Sequence, residues 1–175
     1  MGRIKKHPPV KLIVGFIFKE EGAYNKARGA LERYFSKIDF QSQALPFSHT
    51  DYYENEFGKD LKRKFISCTK LIWPQHLPRI KIIANQIEKK ISRGACRLIN
   101  IDPGYLDLSK LVLATTKDYK HRIYLSQGIY AEVTLFYQEK AFKSWEWTYP
   151  DYKTPEYTAI FNQIRGIYAQ QIQDK

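Results

Sequence analysis

The chain has 175 residues, 43% of them apolar, with 13 Tyr, 10 Phe and 3 Trp, which is enough for the core of one domain and shows no repeat, linker or low-complexity tract. Its longest apolar run, Leu12 to Phe18, is strand-sized rather than membrane-sized, and no signal-length stretch follows the basic start, so the cytoplasm is the expected compartment. The net charge of +11 belongs to residues 1–100, with 20 Lys and Arg against 9 Asp and Glu, while the rest of the chain is balanced at 9 against 9; such a half attracts anions without naming one, and a solubilising surface explains the same lysines.

Val10 to Phe18 is apolar on both alternating sets, the pattern of a central strand covered on two faces. Ala23, Tyr24, Ala27, Ala30, Leu31, Tyr34, Phe35 and Ile38 recur three and four apart, predicting an amphipathic helix from Glu21 to Ile38. Phe40 to Phe47 reads as a weaker strand and Leu61 to Ile72 as a longer one, ended by Trp73-Pro74. Leu77, Ile80, Ile83, Ala84, Ile87 and Ile91 define a second helix, closed by Arg93 and Gly94. Cys96 to Ile101 follows as a short strand, and Asp102-Pro103-Gly104-Tyr105 has the chemistry of a turn. With no second pair to form a framework, Cys68 and Cys96 are expected to be buried, reduced thiols.

Three further strands are predicted at Leu111 to Thr116, Arg122 to Leu125 and Ile129 to Tyr137, joined by turns at Lys117-Asp118-Tyr119-Lys120 and Ser126-Gln127-Gly128. A last helix begins at Thr154-Pro155, an N-cap residue followed by proline. The expected fold is α+β: a ferredoxin-like βαββαβ sandwich over residues 1–101, then an antiparallel three-strand meander and a C-terminal helix over 102–175, in one domain.

Hairpin register in that meander sets Arg122 opposite Glu132, Tyr124 opposite Tyr130 and Thr115 opposite Arg122. The reverse face, with Val112, Ala114, Ile123, Leu125, Ile129, Ala131, Val133 and Leu135, is then expected to be core. Thr115, Arg122 and Glu132 in one row are either a structural cross-strand ion pair or a guanidinium aimed by an acid at a carboxylate or phosphate, with Lys117 and His121 beside it. Asp118, His121, Glu132 and Asp102 are the candidates for proton chemistry. Asp51 and Tyr52, in the loop from Ser48 to Glu54, and Tyr105 are candidate ligand contacts; the spacing of His49, Asp51 and Glu54 matches no metal signature, and no metal is expected. Trp147, Tyr149 and Asp151 belong to the aromatic segment Trp145 to Tyr152, which can stack bases or sugars, or pin a loop to the sheet.

Thr50-Asp51-Tyr52-Tyr53-Glu54, Asn100-Ile101-Asp102-Pro103-Gly104-Tyr105-Leu106, Leu111-Val112-Leu113-Ala114-Thr115, Lys117-Asp118, His121-Arg122-Ile123-Tyr124-Leu125, Gly128-Ile129, Glu132-Val133-Thr134-Leu135 and Trp147-Thr148-Tyr149-Pro150-Asp151-Tyr152 together resemble the prokaryotic domain of unknown function 4416 family over nearly the whole chain. The resemblance implies no established activity, catalytic residue or cofactor. A GTP-binding label travels with some members, but this chain has no G-x-x-x-x-G-K-[ST]: Gly58-Lys59 is followed by Asp60, and neither Gly15 nor Gly22 is followed by Lys-Ser or Lys-Thr. Three functions are carried forward: binding, with or without catalysis, of an anionic small molecule or nucleotide at the meander; an RNA-binding module using the basic half and the Trp/Tyr-rich segment; and a scaffold without chemistry.

Overall fold

The structure is a computed structural model, and it describes residues 2–48, 58–94 and 96–173. Among these residues it has nine strands, β1 (Lys11–Phe18), β2 (Ile38–Gln41), β3 (Leu45–Phe47), β4 (Leu61–Cys68), β5 (Ile99–Leu106), β6 (Lys110–Thr115), β7 (Ile123–Ser126), β8 (Ile129–Gln138) and β9 (Ala141–Ser144), and three helices, α1 (Glu21–Tyr34), α2 (Leu77–Ile91) and α3 (Pro155–Gln173). The strands form one antiparallel sheet in the order β2-β4-β1-β5-β6-β8-β7, with β3 also on β4 and β9 also on β8. None of the helices is long and apolar enough to cross a membrane.

The double-sided apolar pattern of β1 has the expected cause, because every one of its residues is buried. Leu12, Val14, Phe16 and Phe18 face the layer built by Ala23, Tyr24, Ala27 and Leu31 of α1 and Ile80, Ala84 and Ile87 of α2. Ile13 faces the other way, with Phe65, into a core closed by Tyr157, Phe161 and Ile164 of α3. Lys11 shares that second face and is fully buried, its ammonium paired with Asp39 and donating to Gln171 Oε1 at 2.7 Å, which ties the end of α3 to the sheet. The start of α3 is capped as its sequence predicts: Thr154 Oγ1 accepts the Tyr157 N–H at 3.4 Å. Thr154→Ala is therefore expected to cost about 1 kcal/mol in a denaturant titration, the usual value of such a cap.

Several expectations are corrected. Asp102-Pro103-Gly104-Tyr105 is not a turn but runs through β5, which places the anticipated boundary at 101/102 inside a strand. Proline is tolerated because β5 is paired at Pro103 only with β1, the β6 pairing beginning at Gly104, and glycine fits because β6 approaches too closely for a side chain. β6 pairs with β8 and not with β7, so Thr115 lies opposite Tyr130 rather than Arg122. The loop of residues 116–122 therefore crosses past β8, and β7 becomes the sheet edge, where Ile123 and Leu125 are exposed instead of forming core. The pairing of Tyr124 with Tyr130 is as expected, around Gln127 and Gly128, both at positive φ. The first helix ends at Tyr34, β4 stops at Cys68, the Phe40 to Phe47 strand is broken in two, and β9 was not anticipated. Cys68 is buried and free as expected, whereas Cys96, also free, is exposed.

Candidate functional site

β5 and β6 are paired only from Gly104 with Leu113 to Leu106 with Leu111. Beyond that point the pairing stops, and a cavity of about 640 Å³ occupies the opening, lined by the start of β5, the end of β6, α2, and the Tyr149 to Tyr152 segment. The free edge of β5 is satisfied by α2 in place of a strand. Lys81 Nζ donates to the Ile101 carbonyl at 2.8 Å, and the Ile101 N–H donates to Glu88 Oε1 at 2.6 Å. Lys81, Asn85 and Glu88 lie one and two turns apart on one helix face, so a single stripe of α2 both seals the edge and lines the cavity.

The floor depends on Gly15. Arg63 of β4 and Asp102 of β5 lie on either side of β1, and a Cβ at Gly15 would meet Arg63 Nη2 at 2.9 Å. The bare glycine leaves a trough in which the Arg63 guanidinium crosses β1, donating to Asp102 Oδ2 at 3.4 Å and to the Tyr152 hydroxyl at 2.5 Å, and resting 4.8 Å from the centre of the Phe65 ring. Asp102 is also held by Asn100 Nδ2 at 2.7 Å and Lys81 Nζ at 3.5 Å. Burial pushes its pKa up, but Lys81, Arg63 and the Asn100 hydrogen bond together outweigh burial and hold it below the ordinary carboxylate value. About 26% of its side chain remains open, so the cavity floor presents an ionised, immobilised carboxylate. Glu88 behaves oppositely: burial first, and then the Asp102 charge, raise its pKa more than Lys81, the Ile101 N–H and Arg97 lower it. Arg97 bridges Glu88 Oε2 and Asn100 Oδ1, both at 3.3 Å, at the rim.

The far wall is hung on an irregularity in β8. Leu111 pairs with Leu135 but Val112 pairs with Val133, leaving Thr134 as an extra residue. The carbonyls there take up the aromatic segment: Trp147 Nε1 donates to Val133 O at 3.2 Å, and Thr148 Oγ1 to Thr134 O at 2.7 Å. Tyr149 is thereby brought to Arg122, whose three donor nitrogens are divided among Glu132 Oε2 at 2.8 Å, the Lys117 carbonyl at 3.0 Å and the Tyr149 hydroxyl at 2.6 Å. Burial and then the nearby Glu132 charge raise the Tyr149 pKa, keeping it a neutral phenol.

Of the residues singled out from the sequence, Asp102, Thr115, Lys117, Glu132, Tyr149 and Asp151 all line this one cavity. Arg122 stands behind them as a clamp joining β8, the Lys117 turn and Tyr149, its fork already engaged. His121 lies 3.4 Å from Glu132 Oε2 and stacks on Trp147, outside the cavity wall. Asp118 is exposed in the turn, and Tyr105 packs with the small cluster of Leu77, Val112, Ala114 and Ile129. Asp51 and Tyr52 lie outside the described residues. Among the described residues no group of three or more His, Cys, Asp or Glu side chains is placed to hold a metal.

Sequence reasoning missed Arg63, Lys81, Asn85, Glu88, Arg97 and Asn100. Two signals were present. Gly15 interrupts the apolar run from Leu12 to Phe18, a mark of close approach, and Lys81, Asn85 and Glu88 form a polar stripe on α2 beside its apolar one. Nothing in Lys62-Arg63-Lys64 tells which of three consecutive cations turns inward.

The profile of one family, described as "Domain of unknown function (DUF4416)", matches residues 8–168. No curated protein and no solved structure matches the chain.

Proposed function

Because the chain belongs to the domain of unknown function 4416 family, whose description assigns no activity, we propose from the site alone that it binds a small polar molecule bearing an anionic group, of nucleotide or phosphorylated-metabolite size, in the β5–β6 cleft. One observation carries this reading: a fixed, ionised carboxylate, Asp102, shares a cavity of about 640 Å³ with Lys117, Arg97 and the hydroxyls of Thr115 and Thr116. That volume is ordinary for a small-molecule site, and a few convergent polar groups over apolar walls are what such sites need. Lys117 and Arg97 suit the anionic group. Asp102 suits a hydroxyl or amine of the same molecule, since an anchored carboxylate held below the ordinary value stays ionised and acts as a hydrogen-bond acceptor. The strand order β2/β3, β4, β1, β5, with α1 and α2 packed on one face, supports reading the first half as ferredoxin-like.

The test is a thermal-shift and calorimetric series with inorganic phosphate, nucleoside mono-, di- and triphosphates, and sugar phosphates. A ligand present at about 100 times its Kd adds about 2.7 kcal/mol, a rise of roughly 5–10 °C for a chain of this size. Lys117→Ala and Asp102→Asn are expected to reduce that rise at equal ligand concentration. The proposal fails if no anionic compound raises the midpoint, or if the rise is the same in both variants.

A further inference from the structure

A second cleft, of about 390 Å³, lies between α1 and α2. Its floor is apolar, from Ala30, Ile87 and Ile91, and its charged lining is entirely cationic: Lys26 and Arg33 from α1 and Lys90 from α2, all exposed. Among the described residues no acid lines it, in contrast to the β5–β6 cleft, where four carboxylates stand among the cations. Lys26, Ala30, Arg33 and Tyr34 are four, three and one apart on α1, and Ile87, Lys90 and Ile91 are three and one apart on α2, so each helix contributes one continuous stripe. α2 thus turns Ile87 and Lys90 to this cleft and Lys81, Asn85 and Glu88 to the other.

Arg33 and Lys90 stand in the last turns of their helices, where a cation also complements the helix dipole. Lys26, in the second turn of α1, has no such role. The cleft also holds an exposed aromatic ring, Tyr34, which is 51% accessible and touches Phe35 only in a tilted contact at 6.4 Å. Cations without counter-charge along a groove, with an open ring beside them, are the two elements that single-stranded nucleic acid requires: neutralisation of successive phosphates and a surface for base stacking.

We propose that the α1–α2 cleft binds single-stranded nucleic acid, with Lys26, Arg33 and Lys90 on the phosphates and Tyr34 stacking a base. This surface is independent of the ligand assigned to the β5–β6 cleft. It differs from the stacking role foreseen for Trp145 and Trp147, whose rings stack on each other at 5.1 Å, with Trp147 also on His121.

The experiment is fluorescence anisotropy of a labelled oligouridylate with the full chain, at about 50 and 200 mM salt. Three phosphate contacts to a single strand predict an affinity loss of roughly twentyfold over that range. The combined variant Lys26→Glu, Arg33→Glu and Lys90→Glu is expected to weaken binding at least tenfold, and Tyr34→Ala at least about fivefold, with Lys117→Ala unchanged. Circular dichroism establishes that the variants fold; should the charge-reversed chain not fold, Lys26→Gln and Lys90→Gln measured singly carry the same comparison. Absence of wild-type binding at 50 mM salt, an affinity indifferent to salt, retention of affinity in the substituted chains, or tighter binding of a duplex of equal length would each overturn the assignment.

Discussion

Gly104→Ala is expected to lower the unfolding free energy by about 3 kcal/mol, the upper end of the usual cost of overpacking, and to reduce the thermal midpoint by roughly 6–12 °C. The tightest obstacle is backbone. A Cβ at this position would stand 2.3 Å from the Val112 carbonyl oxygen, 2.8 Å from Leu113 Cδ2 and 3.3 Å from Leu113 Cα. β6 cannot step aside, because its other edge is paired with β8 from Lys110 to Thr115. Gly104 with Leu113 is also the last β5–β6 pair before the cleft, so separation there would widen the ligand site and weaken any anion response together with stability. Gly166→Ala is the matched control: it lies inside α3, its Cβ would meet nothing within 4 Å, and it should be neutral or stabilising by up to about 1 kcal/mol. Equal midpoints for Gly104→Ala and wild type would show that β5 and β6 are not in the close contact described.

Asp102→Ala should be at least as costly, about 3–5 kcal/mol, because it strands two cations. Arg63 is 2% exposed and Lys81 8%, and both lean on this carboxylate. Asp102→Asn, which keeps the shape and part of the hydrogen bonding, is expected to cost less, and the difference between the two isolates the uncompensated charge. The same carboxylate predicts a pH signature. Its folded pKa lies below the unfolded value of about 3.9, so its contribution is complete above that value and is lost as pH falls through the folded pKa. Glu88 has the opposite sign: its folded pKa is raised, so protonating it favours the folded state as pH falls toward the ordinary glutamate value. The stability difference between wild type and Asp102→Asn should therefore be flat above about pH 5 and shrink toward acid. A difference that grew on acidification would contradict the ion-paired state of Asp102.

The periodic parts of this chain were legible because burial on one helix face or on both strand faces writes itself into local spacing. The double-sided run of β1, the stripe of α2 from Leu77 to Ile91 and the Thr154-Pro155 start of α3 all follow from that rule and are found where spacing places them. Asp102-Pro103-Gly104 misled because its turn chemistry is local, whereas the demand for glycine there comes from β6, which approaches from another part of the chain. The β6–β8 pairing was likewise invisible, since a hairpin and a crossing loop leave the same alternation in sequence and differ only in which strand sits between.

Sequence alone settled which residues bear charge and where the strongly periodic segments, β1, α2 and the start of α3, lie, and it named six of the polar groups that line the cleft. Tertiary structure alone decided that these six converge, and that Arg63, Lys81 and Glu88 join them. The physical reason is distance along the chain. Asp102 is fixed by a residue 39 positions before it lying across Gly15 and by a helix residue 21 positions before it, and no local pattern encodes a contact that exists only once β4, β1 and β5 lie side by side.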